Sequence, residues 1–220
     1  MGTNLKLYIY GAGGLGREVY EVAARYNELH RKWIEIIFID DFEGEGEFFG
    51  CKRINYSSLP SEENREFVVA VGEPSSRKKL YDKLIEDRES LHTLIDPTAI
   101  VSKSANLGIG SIVLENSLVK ANVTIGANVL IQPFCDIGHD IILGDHTVMS
   151  PFSAPGGNSR IGQCVFFGMH AACIQNIKIG DEAVIGMGSV VFRDVSDGST
   201  VLGNPARPTR GNESSKVFTP

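Results

Sequence analysis

The chain has 220 residues, room for two small domains, and its 42% hydrophobic and 22% charged content excludes a disordered polymer. A formal charge of −6 argues against a duplex nucleic-acid binder, which needs a concentrated basic surface. No apolar run approaches the ~18 residues of a membrane span, no leader-like pattern opens the chain, and Cys51, Cys135, Cys164 and Cys173 have neither C-x-x-C nor metal-ligand spacing; the expectation is a cytoplasmic protein with reduced thiols.

In chain order, residues 5–10 form a short apolar strand, 11–16 a glycine-rich turn, and 17–30 a helix with Val19, Val22, Ala23 and Tyr26 at helical spacing. Residues 36–39 form a second strand that runs into Asp40 and Asp41. A third strand at 67–71 leads through Gly72 and Pro74 into a helix from 75 to about 89. This is a β-α-β arrangement on a parallel sheet, shorter than a full dinucleotide fold. Asp96-Pro97 marks a boundary.

The second half of the chain obeys a different rule. From Val101 onward every sixth residue is apolar, through Leu107, Val113 and Val119 to Ile185 and Val191, with Pro155 as the one break in the series. A glycine often follows the sixth-position residue, as at Gly108, Gly126, Gly138 and Gly144, and a small or β-branched residue often stands two places before it. Helices and hairpins do not produce this period, whereas a hexapeptide β-helix does. Each hexad supplies one strand and one corner, and three hexads close a coil of 18 residues. The expected fold is therefore mixed: a small Rossmann-like α/β unit (1–95), a left-handed parallel β-helix (96–210) and a flexible tail (211–220).

The sequence motifs Y-G-A-G-G-L-G-R-E, F-I-D-D, V-A-V-G-E-P-S-S-R-K-K-L, the unbroken hexads, G-H-D at 138–140 and the closing G-N-P-A-R resemble the hexapeptide-repeat sugar acyltransferases. The branch in question contains sialic-acid O-acetyltransferases and the N-acetyltransferase of bacillosamine synthesis. The resemblance implies a homotrimer with active sites between adjacent β-helices, acetyl-CoA as co-substrate along the upper coils, and a nucleotide sugar reaching in from the N-terminal unit. It also implies a place in bacterial surface glycan synthesis. The family's catalytic histidine and following acidic residue are matched by His139 and Asp140. Most relatives carry histidine where this chain has Leu15, and often where it has Val148.

Acetyl transfer needs a base, oxyanion donors and alignment of two substrates. His139 lies two residues past the inward Ile137, so its side chain points outward, and Asp140 is placed to accept from the imidazole and fix its tautomer. Gly157 is one 18-residue coil above His139, where a bare N–H suits an acetyl oxygen.

The loop Gly11, Gly13, Gly14, Leu15, Gly16 enters a helix whose N-terminus suits a diphosphate, with Asp40, Asp41 and Gly72 grouped around the same nucleotide sugar. NAD fits the same features, but a unit of under about a hundred residues is small for both halves of a dinucleotide fold. Gly168, Gly186 and Gly188 fall on upper coils where the family threads pantetheine. Asn204, Pro205 and Arg207 follow the last coil, and Arg207 or Arg210 is placed to meet CoA phosphates.

No metal is expected, because His139, His146 and His170 fall on three different parts of the coil when counted modulo 18. N- and O-acetylation both remain open at this point. So does a non-catalytic trimeric nucleotide-sensing module.

Overall fold

A computed structural model describes residues 4–61, 64–211 and 217. The N-terminal unit is a five-stranded sheet in which β1 (Lys6–Tyr10) lies between β2 (Glu35–Ile39) and β5 (Arg65–Val69), all parallel. A hairpin of β3 (Gly46–Phe48) and β4 (Cys51–Ile54) extends the β2 edge. Strand alternation sends Leu7 and Ile9 toward α1 (Gly14–His30), and Tyr8 and Tyr10 toward α2 (Pro74–Glu86). The first helix begins inside the expected turn, because extended Gly13 is its N-cap and only Gly11, at φ 121°, needs glycine's backbone freedom.

The remainder is a parallel β-helix, the expected fold class. Its first face stacks Leu94–Ile95, Ile112–Val113, Leu130–Ile131, Val148–Met149, Phe166–Phe167 and Val184–Ile185. The second runs from Ile100–Val101 to Val190–Val191, and the third from Asn106–Leu107 to Lys178–Ile179. Partners on neighbouring rungs are 18 residues apart, as in Leu118 against Asp136. The sixth-position residues from Val113 to Val191, Pro155 aside, lie in one buried core that continues to Val201.

Corners recur at positive φ, with Asn116, Asn122, Asn128, Asp140, Asn158 and Asn176 among them; asparagine and aspartate tolerate that conformation. Phe134, Phe152 and His170 occupy equivalent corners and stack ring on ring at centroid distances of 5.0 and 4.7 Å.

Two expectations need adjustment. The first coil strand, Leu94–Ile95, already pairs with Ile112–Val113, so the β-helix starts inside the range assigned to the N-terminal unit. Pro155 does not break the core, since it points inward and is buried opposite Cys173. What it breaks is the ladder: the second face divides into two three-stranded sheets between Asp136–Ile137 and Ala154–Pro155, because proline has no N–H to give.

The N-terminal unit packs on the first face, where Leu94, Ile112, Leu130 and Val148 join Leu7, Ile9, Val19 and Phe38 in one cluster. Arg77 of α2 locks the junction. Its fully buried guanidinium donates to the carbonyls of Val69, Val71 and Asn128 and to Asn128 Oδ1, at 2.5–3.2 Å. Burial pulls the Arg77 pKa down to about 9. Asn128 Nδ2 donates back to the Arg77 carbonyl and to His146 Nδ1, each at 3.1 Å. His146, one of the three histidines tested for metal spacing, is thus part of the domain junction. The tail assigned to 211–220 lies outside the described residues apart from Gly211 and Val217.

Candidate active site

His139 sits on the corner between the second and third faces, with 61% of its side chain exposed. Its Nδ1–H donates to Asp140 Oδ2 at 2.7 Å. That hydrogen bond, followed by one from Asn122, holds the Asp140 carboxyl below its ordinary range. With Nδ1 protonated, Nε2 carries the free lone pair.

Gly157 lies directly above. A Cβ on it would stand 2.7 Å from His139 Nε2 and 2.8 Å from Cε1, so the imidazole occupies the space that any other residue would fill. Gly157 N–H makes no hydrogen bond among the described residues, whereas at the same hexad position on another corner Ala127 and Gln163 donate to Asp145 and Asp181 side chains. The imidazole thus lies against the bare α-carbon of Gly157, whose backbone N–H has no partner among the described residues.

The glycine loop divides by physical role. A Cβ on Gly11 would strike the Ala70 carbonyl, and one on Gly16 the Gly11 carbonyl, so both are required by packing. Gly13 and Gly14 meet nothing within 4 Å and leave the helix N-terminus open. Asp40 steadies this loop, its Oδ2 accepting from Ala12 N–H at 3.4 Å and its Oδ1 from Phe42 and Glu43 N–H at 2.9 and 3.1 Å. Asp41 turns to the other side of the sheet. It accepts from Tyr10 Oη at 2.5 Å and Tyr56 N–H at 2.8 Å, and these bonds outweigh the burial that would raise its pKa.

Leu15 and Gly72 line a cavity of about 550 Å³ with Gln132, Ser150, Phe166, Met169 and Met187 of the β-helix. The cavity opens beside the glycine loop on the first face. His139 stands at the corner opposite that face, so one chain does not bring the loop and His139 together.

The coil glycines have structural reasons of their own. A Cβ on Gly168 would stand 2.7 Å from the Ile185 carbonyl and Met187 nitrogen, a Cβ on Gly186 would enter Leu202, and Gly188 has φ 68°. Arg207 lies beyond the last coil with Arg193 and Ser196 around a cavity of about 310 Å³. Asn204 and Pro205 form the turn before it, joined by a cis peptide. The side chain of Arg210 is outside the described residues. Among those residues no group of three or more His, Cys, Asp or Glu side chains is gathered as a metal site, and no helix is long and apolar enough to cross a membrane.

Residues 6–84 match the family model of the PglD N-terminal domain, and residues 122–154 match the bacterial transferase hexapeptide model of six repeats. The acetyltransferase domain of PglB from Neisseria gonorrhoeae, solved in complex with acetyl coenzyme A, is 33% identical with a TM-score of 0.87, covering 94% of this chain and 100% of its own. The chain belongs to the hexapeptide-repeat sugar acetyltransferase family. A histidine-substituted variant of perosamine N-acetyltransferase from Caulobacter crescentus, in complex with CoA and GDP-perosamine, is 27% identical with a TM-score of 0.81, over 93% of this chain and 97% of its own. UDP-N-acetylbacillosamine N-acetyltransferase of Bacillus subtilis is 46% identical over 48 residues, a match that spans only 22% of either chain.

Two features of this acetyltransferase escaped the sequence reading. Asn122 reaches Asp140 from the rung below, at 3.2 Å, and was findable by subtracting 18 from 140. Arg77 gave no signal, since it stands in a basic helical run, S-S-R-K-K-L, that looks solvent-facing.

Proposed function

We propose that this acetyltransferase moves the acetyl group of acetyl-CoA onto the amino group of a nucleotide-linked sugar, in the cytoplasm, with His139 as general base. The carrying observation is the His139–Asp140 pair beneath Gly157: an exposed imidazole of defined tautomer, its Nε2 under the bare α-carbon of a glycine whose N–H has no partner among the described residues. As the amine attacks the thioester carbonyl, Nε2 takes its proton and Gly157 N–H donates to the developing oxyanion. Collapse of the tetrahedral adduct breaks the C–S bond, and the imidazolium returns the proton to the departing CoA sulfur. The bound CoA of the gonococcal relative and the GDP-perosamine of the Caulobacter enzyme support the two substrate classes.

The nucleotide sugar binds at the open amides of Gly13 and Gly14, its sugar reaching over Leu15 and Gly72, and CoA runs along the upper coils toward Arg207. The glycine loop that serves a given His139 comes from a second copy of the chain in a homotrimer. Outward positions support this packing: the second face presents Ile100, Leu118, Ala154, Ala172 and Val190 with Asp136 as its one charged member, while the third presents Asn106, Thr124, Arg160 and Lys178 with Ile142 as its one apolar member. Ile100 is 67% exposed in the single chain.

The test is a CoA-thiol release assay across UDP-, GDP-, dTDP- and CMP-linked sugars with and without an amino group. Release is expected with an amino sugar, and His139→Ala is expected to lower turnover by a factor on the order of 10² or more with the oligomer intact. Nucleotide binding without thiol release from any of these sugars would instead indicate a sensing module.

A further inference from the structure

We infer that Asn122 is a positioning residue for the His139–Asp140 pair, acting from the coil below by holding the Asp140 carboxylate in the orientation that fixes the imidazole. The inference rests on the reading of His139 as base.

Asn122 and Asp140 occupy the same corner on successive rungs, at φ 59° and 58°. Asn122 Nδ2 donates to Asp140 Oδ1 at 3.2 Å while His139 Nδ1–H donates to Asp140 Oδ2 at 2.7 Å. The amide orientation is fixed by chemistry, since an ionised carboxylate only accepts and the nitrogen of Asn122 has to face it. The two oxygens thus have one donor each, and a carboxylate free to rotate about χ2 is held at one angle.

Among the described residues, the rest of the corner leaves this task to Asn122. Asn158, one rung above Asp140, turns its Nδ2 upward to Asn176 Oδ1 at 2.5 Å and not down to the carboxylate. The Asn122 backbone is itself pinned from below, its N–H donating to Ser104 Oγ at 3.0 Å. The corner is therefore a ladder of asparagines with one aspartate set into it, and the substitution stands beside the histidine. An orienting group beyond the base and its acid follows the same logic by which outer partners fix a histidine tautomer in other sites.

Two substitutions separate this role from corner geometry. Asn122→Gly keeps the left-handed conformation and removes the donor; Asn122→Asp also tolerates that conformation and replaces the donor with a carboxylate facing a carboxylate. Turnover in Asn122→Gly is expected to fall by about 10-fold, a fraction of the ~10²–10⁴ that a general base supplies, with KM for both substrates and the thermal midpoint unchanged. Asn122→Asp is expected to fall further. The ¹⁵N spectrum of His139, which needs no substrate, is expected to move from one dominant tautomer to a mixture in Asn122→Gly. In an Asp140→Ala background the same Asn122→Gly change is expected to cost nothing more. Unchanged turnover and tautomer ratio in both variants, or an equal loss with Asp140 already removed, would overturn the role of Asn122. A fully active His139→Ala enzyme would instead overturn the base on which it rests.

Discussion

Gly157 contributes through the side chain it lacks as well as through its N–H. It lies outside the left-handed region, so its backbone accepts alanine without strain, yet the added methyl would stand 2.7 Å from His139 Nε2. The half-free imidazole can swing into solvent to make room, so the cost falls on alignment and not on folding. Gly157→Ala is expected to lower kcat on the order of 10²-fold, the size of a misplacement of about 1 Å at the reacting groups, with an unchanged melting temperature. Full activity in that variant would reduce the glycine to corner geometry. The placement of Gly157 over His139 was legible because the coil repeats every 18 residues, and the same arithmetic run downward points to Asn122. Pro155 was legible only in part. Its side chain breaks the apolar series on paper but fills the core in space, and the missing N–H leaves the gap in the ladder beside the base.

At the level of elements, the junction between α2 and the first face depends on Arg77. Arg77→Ala would leave the carbonyls of Val69, Val71 and Asn128 buried without their donor, at a cost of about 3 kcal/mol or more. The N-terminal unit is then expected to melt in a separate, earlier calorimetric transition; one unshifted transition would contradict this account.

A second element carries a pH dependence. His92, between β5 and the first coil strand, has Nε2 buried without a partner among the described residues, while Nδ1 accepts from Lys32 Nζ at 3.0 Å with Glu66 at 3.3 Å. Burial first, and Lys32 second, lower its pKa from 6.5 to about 4. The unfolded chain therefore binds a proton that the folded chain refuses. Stability attributable to His92 is intact above pH 6.5 and falls as the pH drops toward 4, by an amount on the order of 1 kcal/mol by pH 5. His92→Asn retains an acceptor for Lys32 and removes the titration, so its melting temperature is expected to fall less between pH 7 and pH 5 than that of the parent chain. Among the elements, β1, β2, both helices and the coils were legible from periodicity. The β3–β4 hairpin was not, because strands of three and four residues, G-E-F and C-K-R-I, are too short to show alternation.

The molecule as a whole is organised by which outward stripe of the β-helix is apolar. That, too, is written at a spacing of 18: Leu94, Ile112, Leu130, Val148 and Phe166 mark the face that the N-terminal unit covers, and the third stripe, polar except at Ile142, marks solvent. The period shows the coil, but assigning its faces requires following the residue before each inward one. Since the covered face lies opposite the His139 corner, the geometry separates base from glycine loop within one chain, and a subunit-mixing experiment decides whether a second copy rejoins them. Gly13→Glu places a negative charge at the open loop, where an added Cβ meets nothing within 4 Å, so the fold is expected to survive while diphosphate binding does not. His139→Ala removes the base. Each variant alone is expected to be inactive. Refolded together in equal amounts, they are expected, on the proposed trimer, to form mixed assemblies in which a site works when its His139 comes from a Gly13→Glu chain and its loop from a His139→Ala chain, giving about a quarter of the parent turnover. No recovery in mixed trimers, verified by mass spectrometry, would mean that each chain closes its own site, and the shared-site arrangement would fall.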